Sequence, residues 1–200
     1  MRLTIDIEKQ IVKINEIFCS IQGEGWFTGT ASVFVRTSGC NLACSFCDTD
    51  HQQGKEMSVA DIVATAARYP ARHAVITGGE PALQADLGEL VEKLHEEGFF
   101  VQIETNGTRS LPDGIDWVTC SPKVLEKTVV LQPHEVKVVF QGQDMTPYET
   151  LFTPQAWSLQ PCDLGHPERN RQIIAAAIAY VLKHPKWRLS LQTHKLIGIK

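Results

Sequence analysis

The sequence contains no apolar run approaching the length of a membrane span, and its opening residues, Arg2-Leu3-Thr4-Ile5-Asp6-Ile7-Glu8, are too polar and acidic for a secretory signal. Both absences predict a soluble, cytoplasmic chain with no membrane partner. There is no block of Lys or Arg and the net charge is −4, so a polyanion finds no electrostatic footprint and direct nucleic-acid binding is not expected. No low-complexity tract or long linker divides the 200 residues, whose 43% hydrophobic and 21% charged content suits one globular domain over residues 1–200 with a sizeable core. A small-molecule substrate fits such a chain better than a polymer does.

One further absence bears on chemistry. Gly39-Cys40-Asn41-Leu42-Ala43-Cys44-Ser45-Phe46-Cys47-Asp48-Thr49 spaces three cysteines as C-x3-C-x2-C after the apolar run Ser32-Val33-Phe34-Val35-Arg36, with no fourth Cys or His at ligand spacing nearby. Structural zinc sites and ordinary electron-transfer clusters take four protein ligands. Three thiolates on one loop, residues 39–50, leave one iron of a 4Fe–4S cluster open, which is what binding and reductive splitting of S-adenosylmethionine requires, a chemistry that makes carbon radicals. A zinc knuckle from Cys40, Cys44, Cys47 and His51 is the rival, but Asp48-Thr49-Asp50 makes the loop anionic and His51 follows too closely. The scattered Cys19, Cys120 and Cys162 read as buried reduced thiols rather than disulfides.

Along the chain, Ile11 to Phe18 reads as a strand running into Ser20-Ile21-Gln22-Gly23-Glu24-Gly25, where glycine turns either point Gln22 and Glu24 at a ligand or simply solvate the Glu. A second strand, Ala31 to Arg36, ends in a guanidinium suited to forked capture of a carboxylate, unless it snorkels to water. Asp48 and Thr49 are hard oxygen ligands of the kind Mg²⁺ accepts, or members of an Asx-type turn. Ser58 caps a helix to Arg68, and strand His73 to Thr77 leads into Gly78-Gly79-Glu80-Pro81, whose backbone groups and Glu80 can meet the two ends of a bound amino acid. Leu83 to Gly98 is a second helix, and Glu168 to Lys183 a third, with Ile173, Ile174, Ala177, Ile178 and Val181 as its apolar stripe.

Strands at Phe99–Ile103, Trp117–Cys120, Glu135–Phe140, Ala156–Leu159 and Trp187–Leu191 complete the pattern. Polar stretches follow four of them: Glu104-Thr105-Asn106-Gly107-Thr108, Ser121-Pro122-Lys123, Gln160-Pro161-Cys162-Asp163 and Gln192-Thr193-His194-Lys195. In parallel α/β sheets and barrels, ligands collect at the C-terminal ends of strands, so these stretches, His194 among them, form one expected site. The tail Leu196-Ile197-Gly198-Ile199-Lys200 is apolar to its end and is expected to dock.

The cysteine loop resembles that of the radical-SAM enzymes. Together with Gln22-Gly23-Glu24-Gly25, Cys47-Asp48-Thr49, Thr77-Gly78-Gly79-Glu80-Pro81, Glu104-Thr105-Asn106-Gly107-Thr108, Ser121-Pro122-Lys123 and Gln192-Thr193-His194-Lys195, it makes nearly the whole chain similar to the 7-carboxy-7-deazaguanine synthase family. The resemblance implies an α/β fold, a partial, open TIM-type barrel of about six strands and three helices, and a homodimer. It implies conversion of 6-carboxy-5,6,7,8-tetrahydropterin to 7-carboxy-7-deazaguanine with loss of ammonia, on the route to queuosine-type 7-deazapurine-modified tRNA. A 5′-deoxyadenosyl radical would abstract hydrogen from C6, ring contraction would follow with Mg²⁺ assistance, and the cofactor would be regenerated.

Carried over by the same resemblance, Cys40, Cys44 and Cys47 hold the cluster. Gly79, Ser121, Pro122, Lys123, Gln160, Pro161, Cys162 and Asp163 hold S-adenosylmethionine. Ile21, Gln22, Gly23, Arg36, Thr77 and the carboxylate of Lys200 hold the pterin, with Glu24 and His194 beside it, and Thr49 binds Mg²⁺. A flavodoxin or ferredoxin is the expected reductant. Two rivals stay open: a radical-SAM activase of a partner protein, and a non-enzymatic iron–sulfur electron carrier.

Overall fold

Alternation of outward apolar and inward polar side chains decides the architecture. In the computed structural model, which describes residues 10–200, the N-terminal stretch read for a secretory signal lies outside the described residues. The elements are β1 (Ile11–Ile21), β2 (Ala31–Thr37), β3 (Lys55–Ser58), α1 (Val59–Ala66), β4 (His73–Gly78), α2 (Leu87–Glu96), β5 (Phe100–Thr105), β6 (Trp117–Cys120), β7 (Glu135–Phe140), α3 (Thr146–Leu151), β8 (Ala156–Pro161), α4 (Pro167–Lys183), β9 (Trp187–Leu189) and α5 (Thr193–Ile197). A single nine-stranded sheet has the order β3-β1-β2-β4-β5-β6-β7-β8-β9. From β2 to β9 neighbouring strands are parallel, while β1 runs antiparallel to β2 and β3.

The ladder is open, with β3 and β9 as its edges, which agrees with a partial barrel. The three principal helices are the expected ones, but the strands among the described residues number nine rather than the about six that the resemblance implies; eight of them are read in the sequence, and the short β3 beyond β1 is the addition. The two short helices α3 and α5 were not anticipated; both lack the length for a recognisable apolar period.

Val33 and Val35 of β2, Ala74 and Ile76 of β4, and Val101 and Ile103 of β5 face one side, where Ile62 of α1 and Leu90 and Leu94 of α2 cover them. Val136, Val138 and Leu159 do the same against the α4 side with Ala177 and Trp187. Full burial of each Val, Ile or Leu among these contributes roughly 1.5–3 kcal/mol. The alternate residues, Arg36, Thr77, Glu104, Lys137 and Gln160, point to the other face and line a cavity. The helices hold the sheet from outside, and the chemistry sits inside.

Four expectations need correction. The second helix begins at Leu87, because Pro81–Leu83 forms a 3₁₀ turn in which the Glu80 side chain accepts from Ala82 N. The stripe of α4 is split: Ile173, Ala177 and Val181 meet the core, whereas Ile174 and Ile178 are 36% and 42% exposed. The tail docks through polar groups, Ser20 Oγ donating to Lys200 O at 2.5 Å, while Leu196 and Ile197 stay 72% and 62% exposed. Cys120 and Cys162 are buried free thiols as expected, but Cys19, on the edge-side strand β1, is exposed.

Candidate active site

A cavity of about 710 Å³ opens at the C-terminal ends of the parallel strands. Cys40, Cys44 and Cys47 line it, as do Thr49, Gly79, Ser121, Lys123, Gln160, Pro161, Cys162 and Asp163. So do Ile21, Gln22, Gly23, Glu24, Arg36, Thr77, His194 and Lys200. Pro122 is buried and stands outside the lining. Parallel register explains the convergence: Arg36 pairs with Thr77 across β2 and β4, and each following strand adds its end at the same rim.

The floor is a buried charge system. Lys137 Nζ lies 2.7 Å from Glu24 Oε2 and 2.8 Å from Glu104 Oε2, with the lysine side chain only 6% exposed. Burial would raise the Glu24 carboxyl, but Lys137 overrides it, with help from Gln192 and His194, and holds Glu24 at about 2. Glu104 goes the other way. Burial pushes it up to about 7, with the Glu24 charge adding to the rise against the pull of Lys137. Gln102 Nε2 and Gln22 Nε2 both approach Glu104 Oε1, at 3.1 and 3.4 Å. Lys123, beside Ser121 Oγ, is lowered by burial and by repulsion from Lys137.

The mouth carries exposed pairs. Lys195 reaches Asp48 at 2.6 Å and Asp163 at 3.3 Å, tying α5 to the cysteine loop and to the end of β8. Arg36 Nε donates to Glu16 Oε1 at 2.9 Å and its Nη1 approaches Thr49 Oγ1 at 3.4 Å, so the fork is already oriented. Glu16 also pairs with Lys200 Nζ. The α5 segment settles on the Gln22–Glu24 turn, Thr193 N and Oγ1 both donating to Gly23 O at 3.0 and 2.9 Å.

At the cysteine loop the glycine motif acts differently from expectation. Gly79 N–H donates to Thr37 O at 3.2 Å and Glu80 N–H to Gly39 O at 2.9 Å, so both donors serve the chain itself. A Cβ on Gly79 would stand 1.9 Å from Gly39 O, which is why glycine is required there. Glu80 is wholly buried and accepts from Ala82 N, Thr105 Oγ1 and Asn106 N, so it braces the loop against β5 instead of reaching a ligand. Asp48 spends its carboxylate on Lys195 and Gln192, leaving Thr49 as the hydroxyl beside Arg36.

The donor set suits an iron–sulfur cluster. All three thiols are free, and Cys40 Sγ accepts from Leu42 N at 3.5 Å, as a ligating thiolate would. Among the described residues no three His, Cys, Asp or Glu side chains converge as ligands of one metal ion.

Comparison with known proteins gives this geometry a family. Residues 34–137 match the Radical SAM superfamily. A 7-carboxy-7-deazaguanine synthase of Bacteroides thetaiotaomicron is 53% identical over 188 residues, covering 94% of this chain and 98% of that protein. The chain belongs to the 7-carboxy-7-deazaguanine synthase family. A second synthase, of Bradyrhizobium diazoefficiens, is 42% identical over 94% of this chain and 98% of its own length. The crystal structure of QueE from Escherichia coli superposes with a TM-score of 0.70 at 30% identity, covering 95% of this chain and 99% of that one. The chain is thus an enzyme of the radical-SAM superfamily with the fold of that family.

Sequence reading missed two members of the site, Lys137 and Glu16. Lys137 lies within an apolar strand, although its placement between Val136 and Val138 is the signal of an inward polar face. Glu16, which orients Arg36, sits in a strand whose alternation is blurred by a register shift between Ile14 and Glu16.

Proposed function

We propose that this protein converts 6-carboxy-5,6,7,8-tetrahydropterin to 7-carboxy-7-deazaguanine with release of ammonia. The single observation that supports this most is that the three-thiol loop and the Gln22, Glu24 and Arg36 groups line one cavity, where a radical and a small polar substrate can be held together. Cys40, Cys44 and Cys47 would hold a 4Fe–4S cluster, which together with S-adenosylmethionine would supply radical chemistry.

In this reading the chain's own groups bind, orient and exclude water. Gly79, Ser121, Lys123 and Gln160 to Asp163 stand around the cofactor, and Arg36, with Nε fixed by Glu16, offers its remaining N–H fork to the pterin carboxylate. Thr49 Oγ1, next to Arg36, would be the chain's oxygen ligand for a Mg²⁺ ion. Ile21, Gln22, Gly23, Thr77, His194 and Lys200 surround the remaining substrate. Glu24, held ionised by Lys137, and Glu104, which burial pushes up, line one wall of the cavity beside the heterocycle. The α5 strap narrows the mouth, which suits a reaction whose radical must be kept from solvent.

No helix of the described residues is long and apolar enough to cross a membrane, and the reading places the enzyme in the cytoplasm, as a homodimer served by flavodoxin or ferredoxin. The deciding experiment is an anaerobic assay of reconstituted protein with the pterin, S-adenosylmethionine, reductant and Mg²⁺. The expected result is deazaguanine product without net cofactor loss. Cofactor cleavage with the pterin untouched would leave an activase. No cleavage by cluster-loaded protein would leave an electron carrier.

A further inference from the structure

The three cysteines are not equivalent. Asn106, at the end of β5, is 8% exposed and its Nδ2 lies 3.9 Å from Cys40 Sγ and 3.1 Å from Asn41 Oδ1. The orientation of this amide is fixed by chemistry. Thr108 N can only donate, and it sits 2.9 Å from Asn106 Oδ1, so the oxygen must face Thr108 and the NH₂ group must face the sulfur.

Thr108 Oγ1 adds a second donor to that oxygen at 2.6 Å and in turn accepts from Asn41 Nδ2 at 2.8 Å, closing a ring of side chains around the first thiol. The ring is anchored from behind. Glu80 Oε2 accepts from Asn106 N at 2.6 Å while Glu80 N holds Gly39 O, so one buried residue fixes both the amide and the cysteine it faces. Cys40 Sγ therefore receives N–H groups from Leu42 and Asn106, whereas Cys47 Sγ faces a carbonyl, Thr49 O, at 3.6 Å.

We infer that Asn106 is a positioning residue that sets the reduction potential of the cluster through the Cys40 sulfur. The inference rests on the reading that Cys40 ligates a cluster iron. An N–H directed at a ligating thiolate withdraws negative charge from it and stabilises the reduced, more anionic cluster over the oxidised one, which raises the potential. The ring of Asn41, Asn106 and Thr108 keeps that donor from turning away, so the effect is permanent rather than dependent on substrate.

The test is a redox titration of the reconstituted protein, followed by the electron paramagnetic resonance signal of the reduced cluster, with iron and sulfide counted per chain. Asn106→Leu keeps the shape and removes the donor. It should lower the potential, so that at a fixed solution potential the ratio of reduced to oxidised cluster falls by about tenfold, equivalent to about 59 mV for a one-electron couple. Asn106→Gln, which retains an NH₂ group, should recover part of the shift. Thr108→Val, which leaves the amide in place but removes one of its two locks, should move the potential the same way by less, and it serves if Asn106→Leu does not load. Potentials equal to wild type in loaded variants would overturn the inference and leave the proposed function standing. A wild-type protein that takes up no cluster would overturn the proposed function, and the inference with it.

Discussion

Glu24 and Glu104 face each other across one ammonium, that of Lys137, which stands 2.7 Å from the first and 2.8 Å from the second. One cation cannot hold two buried carboxylates ionised equally, and their affinities for protons separate: about 2 for Glu24 and about 7 for Glu104. The depressed Glu24 stabilises the fold above its ordinary value of 4.5, and that contribution is lost as pH falls toward about 2. The raised Glu104 has the opposite sign. Between 4.5 and about 7 the native state keeps a proton that the unfolded chain releases, so stability declines as pH rises through that window. Glu104→Gln should flatten that decline, as measured by anaerobic urea unfolding at stepped pH. Lys137→Met should destabilise by about 3–5 kcal/mol at neutral pH, since it strands the ionised partner.

Gly79→Ala should disable the cluster loop specifically. The added Cβ would meet Gly39 O at 1.9 Å and Cys40 N at 3.0 Å, and both are backbone atoms with nowhere to retreat. A cost of about 1–3 kcal/mol is expected from such overpacking, but the sharper readout is iron bound per chain, which should fall well below wild type. Gly98→Ala, where a Cβ meets nothing within 4 Å, is a fair control for general glycine effects, although its φ of 77° carries backbone strain of its own.

How much of this was legible in the sequence follows from which forces are local. The cysteine loop, Gln22-Gly23-Glu24 and the strand-end stretches could be read because spacing and strand polarity alone bring them to one rim. Lys137 could not be assigned a partner, because Glu24 lies in the turn after β1 and Glu104 on β5, and only the folded sheet brings the three together. Gly79 and Glu80 were legible as a turn but not as a brace, since their partners, Thr37, Gly39 and Asn106, belong to neighbouring elements. The tail misled for a different reason. Its apolar residues suggested burial, while the anchoring is done by Thr193, Lys195 and Lys200 through polar contacts.

The α5 strap should be detachable without unfolding the barrel. Lys195 makes its two bridges with partners that are 53% and 39% exposed, so they contribute about 0–1 kcal/mol each and weaken in salt. Lys195→Ala should leave the unfolding midpoint nearly unchanged while speeding limited proteolysis within residues 192–200. High salt should have the same effect on wild type and a smaller one on the variant, which keeps only the Lys200–Glu16 pair. A variant as resistant as wild type would show that the remaining contacts, Thr193 with Gly23 and Lys200 with Glu16 and Ser20, hold the strap.

Arg36 offers the cleanest separation of substrate binding from everything else in the site. Its Nε is committed to Glu16 and its ring-side face lies 5.6 Å above Phe18, so the side chain is fixed before any ligand arrives and its side-chain exposure is 23%. Arg36→Lys keeps the charge but loses the fork, and a lysine ammonium cannot serve Glu16 and a ligand carboxylate in the same plane. The expected result is unchanged cluster content and unchanged cleavage of S-adenosylmethionine without pterin, with KM for the pterin raised at least about tenfold, the equivalent of 1.4 kcal/mol of lost binding. Glu16→Gln should reproduce a weaker version, because the amide still accepts from Nε but no longer holds Lys200 by charge. If Arg36→Lys turned over the pterin with wild-type KM, the carboxylate would have to be bound elsewhere in the cavity, and Lys123, a further cation near the cysteine loop, would be the next residue to change.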